Sequence, residues 1–194
     1  TPGQAYANLT KINLEVFNFS MGPFMWAWII YILGSLLYLA FMINEKQNYY
    51  KAALGFLFLG FLIHTIGFAL RVYIIGRPPV SNMYETVVWV PWGGLLFAFA
   101  IHFWKKKNNI LVLAGTVSAT LCMIVADLAP TVLDPSLQPL EPVLRSTFWL
   151  TTHVLMITIS YGAFLIAWGL GNYAVIASLV NEDKYKKLIK DSAS

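Results

Sequence analysis

Three histidines are the side chains of this sequence best suited to coordinate a metal, because imidazole is the commonest metal ligand in proteins. His64 lies near the middle of a long apolar run, and it shares a helical face with Gly60 and Gly67. Its imidazole therefore either ligates a metal or hydrogen-bonds to a closely packed neighbouring helix, and the sequence leaves both interpretations open. His102 lies at the end of another apolar run, a position typical of an interfacial residue. His153 lies shortly after the start of the last run.

Two arginines flank a polar loop that contains a Pro-Pro pair. Arg71 lies near the end of an apolar run, and Arg77 directly precedes the prolines. Guanidinium groups suit an anionic ligand such as a carboxylate, and they can also reach lipid phosphates at a membrane surface. Ser81 or Asn82 is placed to cap the helix that follows, with Glu85 near the positive end of that helix.

Tryptophans are concentrated at the same end of the apolar runs as these arginines. An aromatic belt at the membrane interface explains individual residues, but a belt populates both interfaces. The asymmetry also favours a flat apolar ligand held at this surface. The five residues are Trp26, Trp28, Trp89, Trp92 and Trp149, against Trp104 at the opposite end.

The composition indicates whether these residues belong to a soluble or to a membrane protein. Of the 194 residues, 58% are hydrophobic and 11% are charged, whereas soluble domains have about 45–50% and about 25%. So few charges cannot cover a water-facing surface, and the sequence predicts an integral membrane protein. The single cysteine, Cys122, permits neither an internal disulfide nor a CxxC motif. The net charge is only +4, so we expect no nucleic-acid partner.

Five apolar runs are long enough to cross a bilayer, which takes about 20 helical residues. We therefore predict an all-α fold, a polytopic bundle of about five transmembrane helices that forms a single membrane domain over residues 1–194. Nine basic residues fall on one side of these spans and four on the other, so the N-terminus is predicted outside and the C-terminus in the cytoplasm. The predicted spans are 23–43, 52–75, 86–104, 110–128 and 148–180, and the predicted outer loops are 76–85 and 129–147.

Two segments carry a resemblance to a known family. The first is RVYIIGRPPVSNMYETVVWVPWG at residues 71–93, and the second is LRSTFWLTTHVLMITISYGAF at residues 144–164. In order, spacing and predicted outer location they resemble the R…G-x-x-P-x-S-N-x-Y-E and K/R-S-x-W-L-x-x-H-V…S-Y blocks of the CcsA/ResC family. This family is the haem-handling membrane component of the system II pathway of cytochrome c biogenesis.

The resemblance implies a function in haem transport and cytochrome complex assembly. Such proteins bind haem b as substrate and present it at the outer face for thioether attachment to the CxxCH motif of apocytochrome c, as part of a cytochrome c haem lyase. It implies further partners, namely a CcsB/ResB-type membrane protein or fused domain and the lipid bilayer. It also implies a bacterial inner membrane with the functional face extracytoplasmic, or alternatively a thylakoid.

The resemblance also assigns residues. His153 matches the histidine of the W-L-x-x-H-V block, which is an outer axial ligand of haem iron, and His64 is a weaker second candidate for a metal ligand. Aromatic walls and cationic partners for the haem propionates would come from the outer tryptophans and arginines. These cofactor-binding candidates are Trp89, Trp92, Trp149, Arg71 and Arg77, with Arg145 as a further cation.

One family element is missing from the sequence, namely the W-G-x-x-W-x-W-D segment that precedes a second outer histidine. We therefore expect that this chain is a fragment or that the remaining part lies on another polypeptide. Two other functions stay open. One is the membrane anchor of a respiratory complex that binds haem or quinol, although His64 and His153 lie at different depths and make a poor pair for one haem. The other is a membrane scaffold without a cofactor.

Overall fold

The computed structural model describes residues 9–78, 80, 82–105, 109–133, 135, 136 and 148–180. These residues form six α-helices and no strand. Five helices are long and apolar enough to cross a membrane, which confirms the predicted all-α, polytopic fold class. The helices are α1 (Leu9–Met21), α2 (Pro23–Asn44), α3 (Gln47–Ile75), α4 (Met83–Lys105), α5 (Asn109–Leu128) and α6 (Phe148–Val180).

Helix α1 is an element that the sequence analysis did not predict. Its apolar residues are interspersed with Glu15 and Asn18, so the segment does not stand out as an apolar run. Gly22, with a φ of 50°, separates α1 from α2, and its N–H donates to the Asn18 carbonyl at 3.1 Å. Pro23 then begins α2, where its fixed φ suits the first helical turn.

Small residues bring the helices close together. A Cβ atom on Gly60 of α3 would lie 2.8 Å from the ring of Tyr31 on α2, so only glycine fits there. A Cβ atom on Gly162 of α6 would lie 2.5 Å from the backbone nitrogen of Gly94 on α4. Such contacts between small residues are the usual basis of helix association in lipid. They pack α2 against α3 and α4 against α6.

Helix α5 is the most buried of the five candidate spans and α6 is the most exposed. Helix α5 packs against α2, α4 and α6, so it forms the centre of the described bundle. The end of the bundle that carries the α3–α4 connection is called the outer end below, after the predicted topology. Residues 129–133, which follow α5, reach the same end.

Candidate functional site

Two arginines and one glutamate converge at the outer end. Arg71 lies in the last turns of α3, Arg77 lies in the connection to α4, and Glu85 lies in the first turn of α4. Arg77 Nη1 donates to Glu85 Oε2 at 2.8 Å, and Arg71 Nη2 lies 3.5 Å from Glu85 Oε1. The Glu85 side chain is 0% exposed. One buried carboxylate is therefore shared by two guanidinium groups, and these three side chains together carry a net positive charge.

The local backbone explains this convergence. Gly76 ends α3 in the left-handed conformation, with a φ of 73°, and its N–H donates to the Val72 carbonyl at 2.8 Å. The Asn82 side chain accepts the Glu85 N–H at 2.7 Å, so Asn82 caps α4 as the sequence predicted. The other predicted cap, Ser81, lies outside the described residues. The turn thus returns the chain so that Glu85 faces the end of α3.

Arg71 also contacts the segment after α5. Its Nη2 atom donates to the Pro135 carbonyl at 3.0 Å, and its guanidinium lies 5.1 Å from the centre of the Tyr84 ring. Arg71 is buried, and its Nε atom has no hydrogen-bond partner within the part of the chain that the structure describes. Arg71 therefore joins three elements, while Arg145 of the same outer segment lies outside the described residues.

His64 is fully buried between α2, α3 and α4. Its Nε2 atom lies 3.2 Å from the Val88 carbonyl oxygen, and its Nδ1 atom lies 3.2 Å from the Tyr31 hydroxyl. A carbonyl oxygen only accepts, so in the neutral ring Nε2 carries the hydrogen and Nδ1 accepts from Tyr31. The ring also stacks on Phe68, with centroids 5.2 Å apart. Ligation of iron by His64 would require one of these two hydrogen bonds to break.

An aromatic wall lies beside His64 on α3 and α4. Trp89 and Trp92 are stacked with centroids 4.8 Å apart, and Trp92 stacks in turn on Phe61 at 5.7 Å. Trp92 Nε1 donates to Thr65 Oγ1 at 2.9 Å, which fixes its ring across the two helices. Two of the predicted tryptophans, Trp89 and Trp92, therefore pack together beside His64, while their predicted contact with a flat ligand stays a prediction. The side chain of Trp149 lies outside the described residues.

His153 is exposed on α6. No hydrogen bond or ring contact joins it to another residue that the structure describes. Met156, Ser160 and Phe164 lie on the same exposed face of the helix. The structure therefore brings Arg71 and Arg77 together, but it leaves His153 apart from them.

His102 and Cys122 are not part of the outer cluster of Arg71, Arg77 and Glu85. His102, which the sequence analysis assigned to the interface, is buried, and its Nε2 atom lies 3.0 Å from the Tyr50 hydroxyl at the inner end. Cys122 is a partly buried free thiol in α5. Within the described ranges, no group of three His, Cys, Asp or Glu side chains could hold a metal ion.

A groove of about 350 Å³ opens between α5 and α6. Its lining is almost entirely apolar and runs from Ile110 to Leu121 on α5 and from Trp168 to Ile176 on α6. Apart from Leu121, these residues belong to the inner half of each helix, whereas the arginines lie at the outer end. The groove is therefore separate from the charged cluster.

Sequence reasoning missed the central position of Glu85. It placed this carboxylate near the positive end of a helix but did not pair it with the arginines. A signal was present, since a single acidic residue follows two arginines across a short Gly- and Pro-containing turn. Such a turn reverses the chain and brings its flanking residues together.

The fold and this cluster define a polytopic helical membrane protein with a buried charged centre at one end. No family model matches the chain. It is 34% identical over 123 residues to Protein NrfI of Wolinella succinogenes, which covers 63% of this chain and 13% of NrfI. It is 28% identical over 186 residues to the cytochrome c biogenesis protein CcsA of Guillardia theta, which covers 94% of this chain and 59% of that protein.

A third relative agrees with these two. The chain is 31% identical over 133 residues to CcsA of Prochlorococcus marinus, with 68% of this chain and 40% of that protein covered. The chain thus spans 13% to 59% of the length of these three relatives. It matches the CcsA family of cytochrome c biogenesis proteins over part of that family's length, which confirms the resemblance drawn from the two sequence blocks.

Proposed function

We propose that this chain acts in cytochrome c biogenesis, where it binds haem in the membrane and presents it at the outer face for attachment to CxxCH of apocytochrome c. The observation that carries the proposal is the similarity to CcsA of Guillardia theta. It extends over 94% of the chain, and so includes both the segment 71–93 and the segment 144–164. Haem b is the proposed substrate.

His153 is the proposed axial ligand. Axial imidazole is a common ligand of haem iron, and an exposed imidazole is accessible to a large planar substrate. His64 is given a packing role in this proposal, because both of its ring nitrogens are already hydrogen-bonded. The two histidines thus receive different tasks.

The aromatic residues proposed to contact the porphyrin, and the cations proposed to pair with its propionates, lie at the outer end. Trp89 and Trp92 offer a stacked aromatic surface for the porphyrin face, and Trp149 is a further proposed haem-binding residue. Arg71 and Arg77 are assigned to the haem propionates, since the two guanidinium groups lie together at the outer end and guanidinium groups pair with carboxylates. These residue types match the chemistry of haem, which is flat and apolar with two carboxylates at one edge.

The chemistry of attachment needs no nucleophile from this chain. A cysteine thiol of the substrate adds across a haem vinyl group, so that sulfur bonds to one vinyl carbon and the thiol hydrogen goes to the other. The task of the chain is then to orient the haem edge toward the thiols and to keep water from the iron. Cys122 takes no part, since it lies within α5 and is a packing residue.

Further partners and location follow from the same proposal. The substrate protein is apocytochrome c, and a CcsB/ResB-type membrane protein or domain supplies the rest of the machinery. The chain is an integral membrane protein, and we place it in a bacterial inner membrane with its outer end extracytoplasmic.

A pyridine haemochrome spectrum of the purified chain, made with and without a CcsB/ResB-type partner, tests the proposal. We expect haem b in at least one preparation, and a higher yield of a c-type reporter cytochrome when both chains are present. Haem that is rapidly reduced by quinol, with no gain in reporter, would instead favour a respiratory membrane anchor. The absence of haem from both preparations would favour a scaffold.

A further inference from the structure

Glu85 pairs with two arginines at the outer end, one of which, Arg71, also contacts Pro135 in the segment after α5. Its carboxylate pairs with Arg71 of α3 and with Arg77 of the connection, while its own N–H is capped by Asn82. We propose that Glu85 is a positioning residue, which through Arg71 holds Leu133 and Pro135, in the segment after α5, against the ends of α3 and α4. This goes beyond haem binding and rests on the proposed function only in identifying which face presents the substrate.

Arg71 is the link between Glu85 and that segment. The same atom, Nη2, contacts Glu85 Oε1 at 3.5 Å and donates to the Pro135 carbonyl at 3.0 Å. The guanidinium also lies on the Tyr84 ring, so it is held from a second side. Any change in the direction of this group changes its bond to Pro135. The orientation of Arg71 therefore decides whether the segment is held.

Leu133 is the apolar half of the same attachment. It is 5% exposed and packs in a cluster with Phe68, Tyr84 and Val88. Its N–H donates to the Ala129 carbonyl at 2.8 Å, which closes a turn directly after α5. Its neighbour Val132 is 79% exposed. The segment is thus held by the buried Leu133 side chain and by the partly buried hydrogen bond between Arg71 and Pro135.

The charge balance explains why the carboxylate is needed. A buried guanidinium without a counter-ion is strongly disfavoured, and two of them here share Glu85. Replacing Glu85 by glutamine leaves both cations without this counter-ion. We expect Arg71 to turn toward water, which would free the Pro135 carbonyl and expose Leu133.

Paired cysteine variants test this inference in the haem-free chain. In a Cys122→Ser background, Leu133→Cys should react with a small maleimide much more slowly than Val132→Cys. Adding Glu85→Gln should raise the rate at Leu133→Cys, relative to the rate at Val132→Cys, by about tenfold or more, since local opening governs access to a buried group. Glu45→Gln, which removes an exposed carboxylate at the opposite end of the bundle, should leave the ratio unchanged. Glu85→Asp, which keeps the charge, should restore much of the protection.

Hydrogen exchange provides a second measurement that needs no cysteine. In Glu85→Gln the amides of 129–133 should exchange faster, while those in the α2–α3 contact keep their rates. An unchanged rate at 129–133 would overturn the inference. Faster exchange throughout the bundle would also overturn it, because Glu85 would then be a general stability residue. Neither measurement involves haem, so both test the role of Glu85 even if the proposed haem-handling function is wrong.

Discussion

The role of His64 depends on neighbouring residues that its own sequence position does not reveal. Its sequence position allowed either metal ligation or packing, and the choice depends on groups from two other helices. The Tyr31 hydroxyl and the Val88 carbonyl occupy both ring nitrogens, and each lies more than twenty residues away in the chain. Periodicity along α3 predicts the face of His64, but it contains no information about those partners.

His64→Ala is therefore predicted to lower stability and not to remove a ligand. The change leaves the buried Tyr31 hydroxyl without its partner and opens a cavity, a combined cost of about 3 kcal/mol. His64→Gln fills more of the space and can still donate to Val88, so its cost should be smaller. Thermal unfolding in detergent measures both variants beside their haem content. Loss of haem from His64→Ala at an unchanged unfolding midpoint would make His64 a ligand.

For the arginines, the sequence predicted the kind of partner but not which residues provide it. Their residue type predicted an anionic partner, and the structure provides one from within the chain, Glu85. The contact of Arg71 with Pro135 depends on how the segment after α5 folds back, which no local pattern reports.

At the scale of elements, hydropathy predicts most of the architecture. The structure has helices over all five apolar runs, since a long apolar helix satisfies its own backbone in lipid. The helix boundaries and one whole helix differ from the prediction, since α3 begins at Gln47 and not at residue 52. Helix α1 was missed because its charged and polar residues interrupt the apolar pattern, and α4 begins at Met83 because Asn82 caps it ahead of the apolar run.

The contact between Gly162 and Gly94 yields a prediction for α4 and α6. Gly162→Ala places a methyl group 2.5 Å from the Gly94 nitrogen and 2.8 Å from the Val90 carbonyl oxygen, and backbone cannot move aside as a side chain can. We expect a loss of about 2 kcal/mol in unfolding free energy. Gly171→Ala on the same helix meets nothing within 4 Å, so its unfolding midpoint should be unchanged or higher. Equal midpoints for the two variants would contradict this packing.

For the whole molecule, the positions of the connections agree with a chain that crosses the membrane in alternating directions. The α3–α4 connection and the segment after α5 meet at one end, where Arg71 contacts Pro135. The bundle therefore has a charged, tryptophan-rich end and an opposite end. Which end faces the cytoplasm follows only from the lysine and arginine bias, so it stays a prediction.

Impermeant maleimide labelling in intact cells tests that orientation. In a Cys122→Ser background, Asn82→Cys should react from outside, whereas Lys106→Cys should react only after the membrane is opened. The reason is the excess of basic residues on the Lys106 side, which is retained in the cytoplasm. Labelling of both positions from the same side would contradict the topology.

The haem content of His153→Ala tests the central claim most directly, because that claim assigns the iron to an exposed imidazole at the outer end. The variant should insert and accumulate normally, since alanine favours helix and the exposed His153 makes no hydrogen bond or ring contact with the residues that the structure describes. Haem retention in the purified protein should fall at least about tenfold, the scale on which even a metal's outer partners change affinity. Added imidazole should restore part of it, while Ser160→Ala on the same exposed face should retain haem fully. Normal accumulation of His153→Ala with unchanged haem content and spectrum would contradict the account.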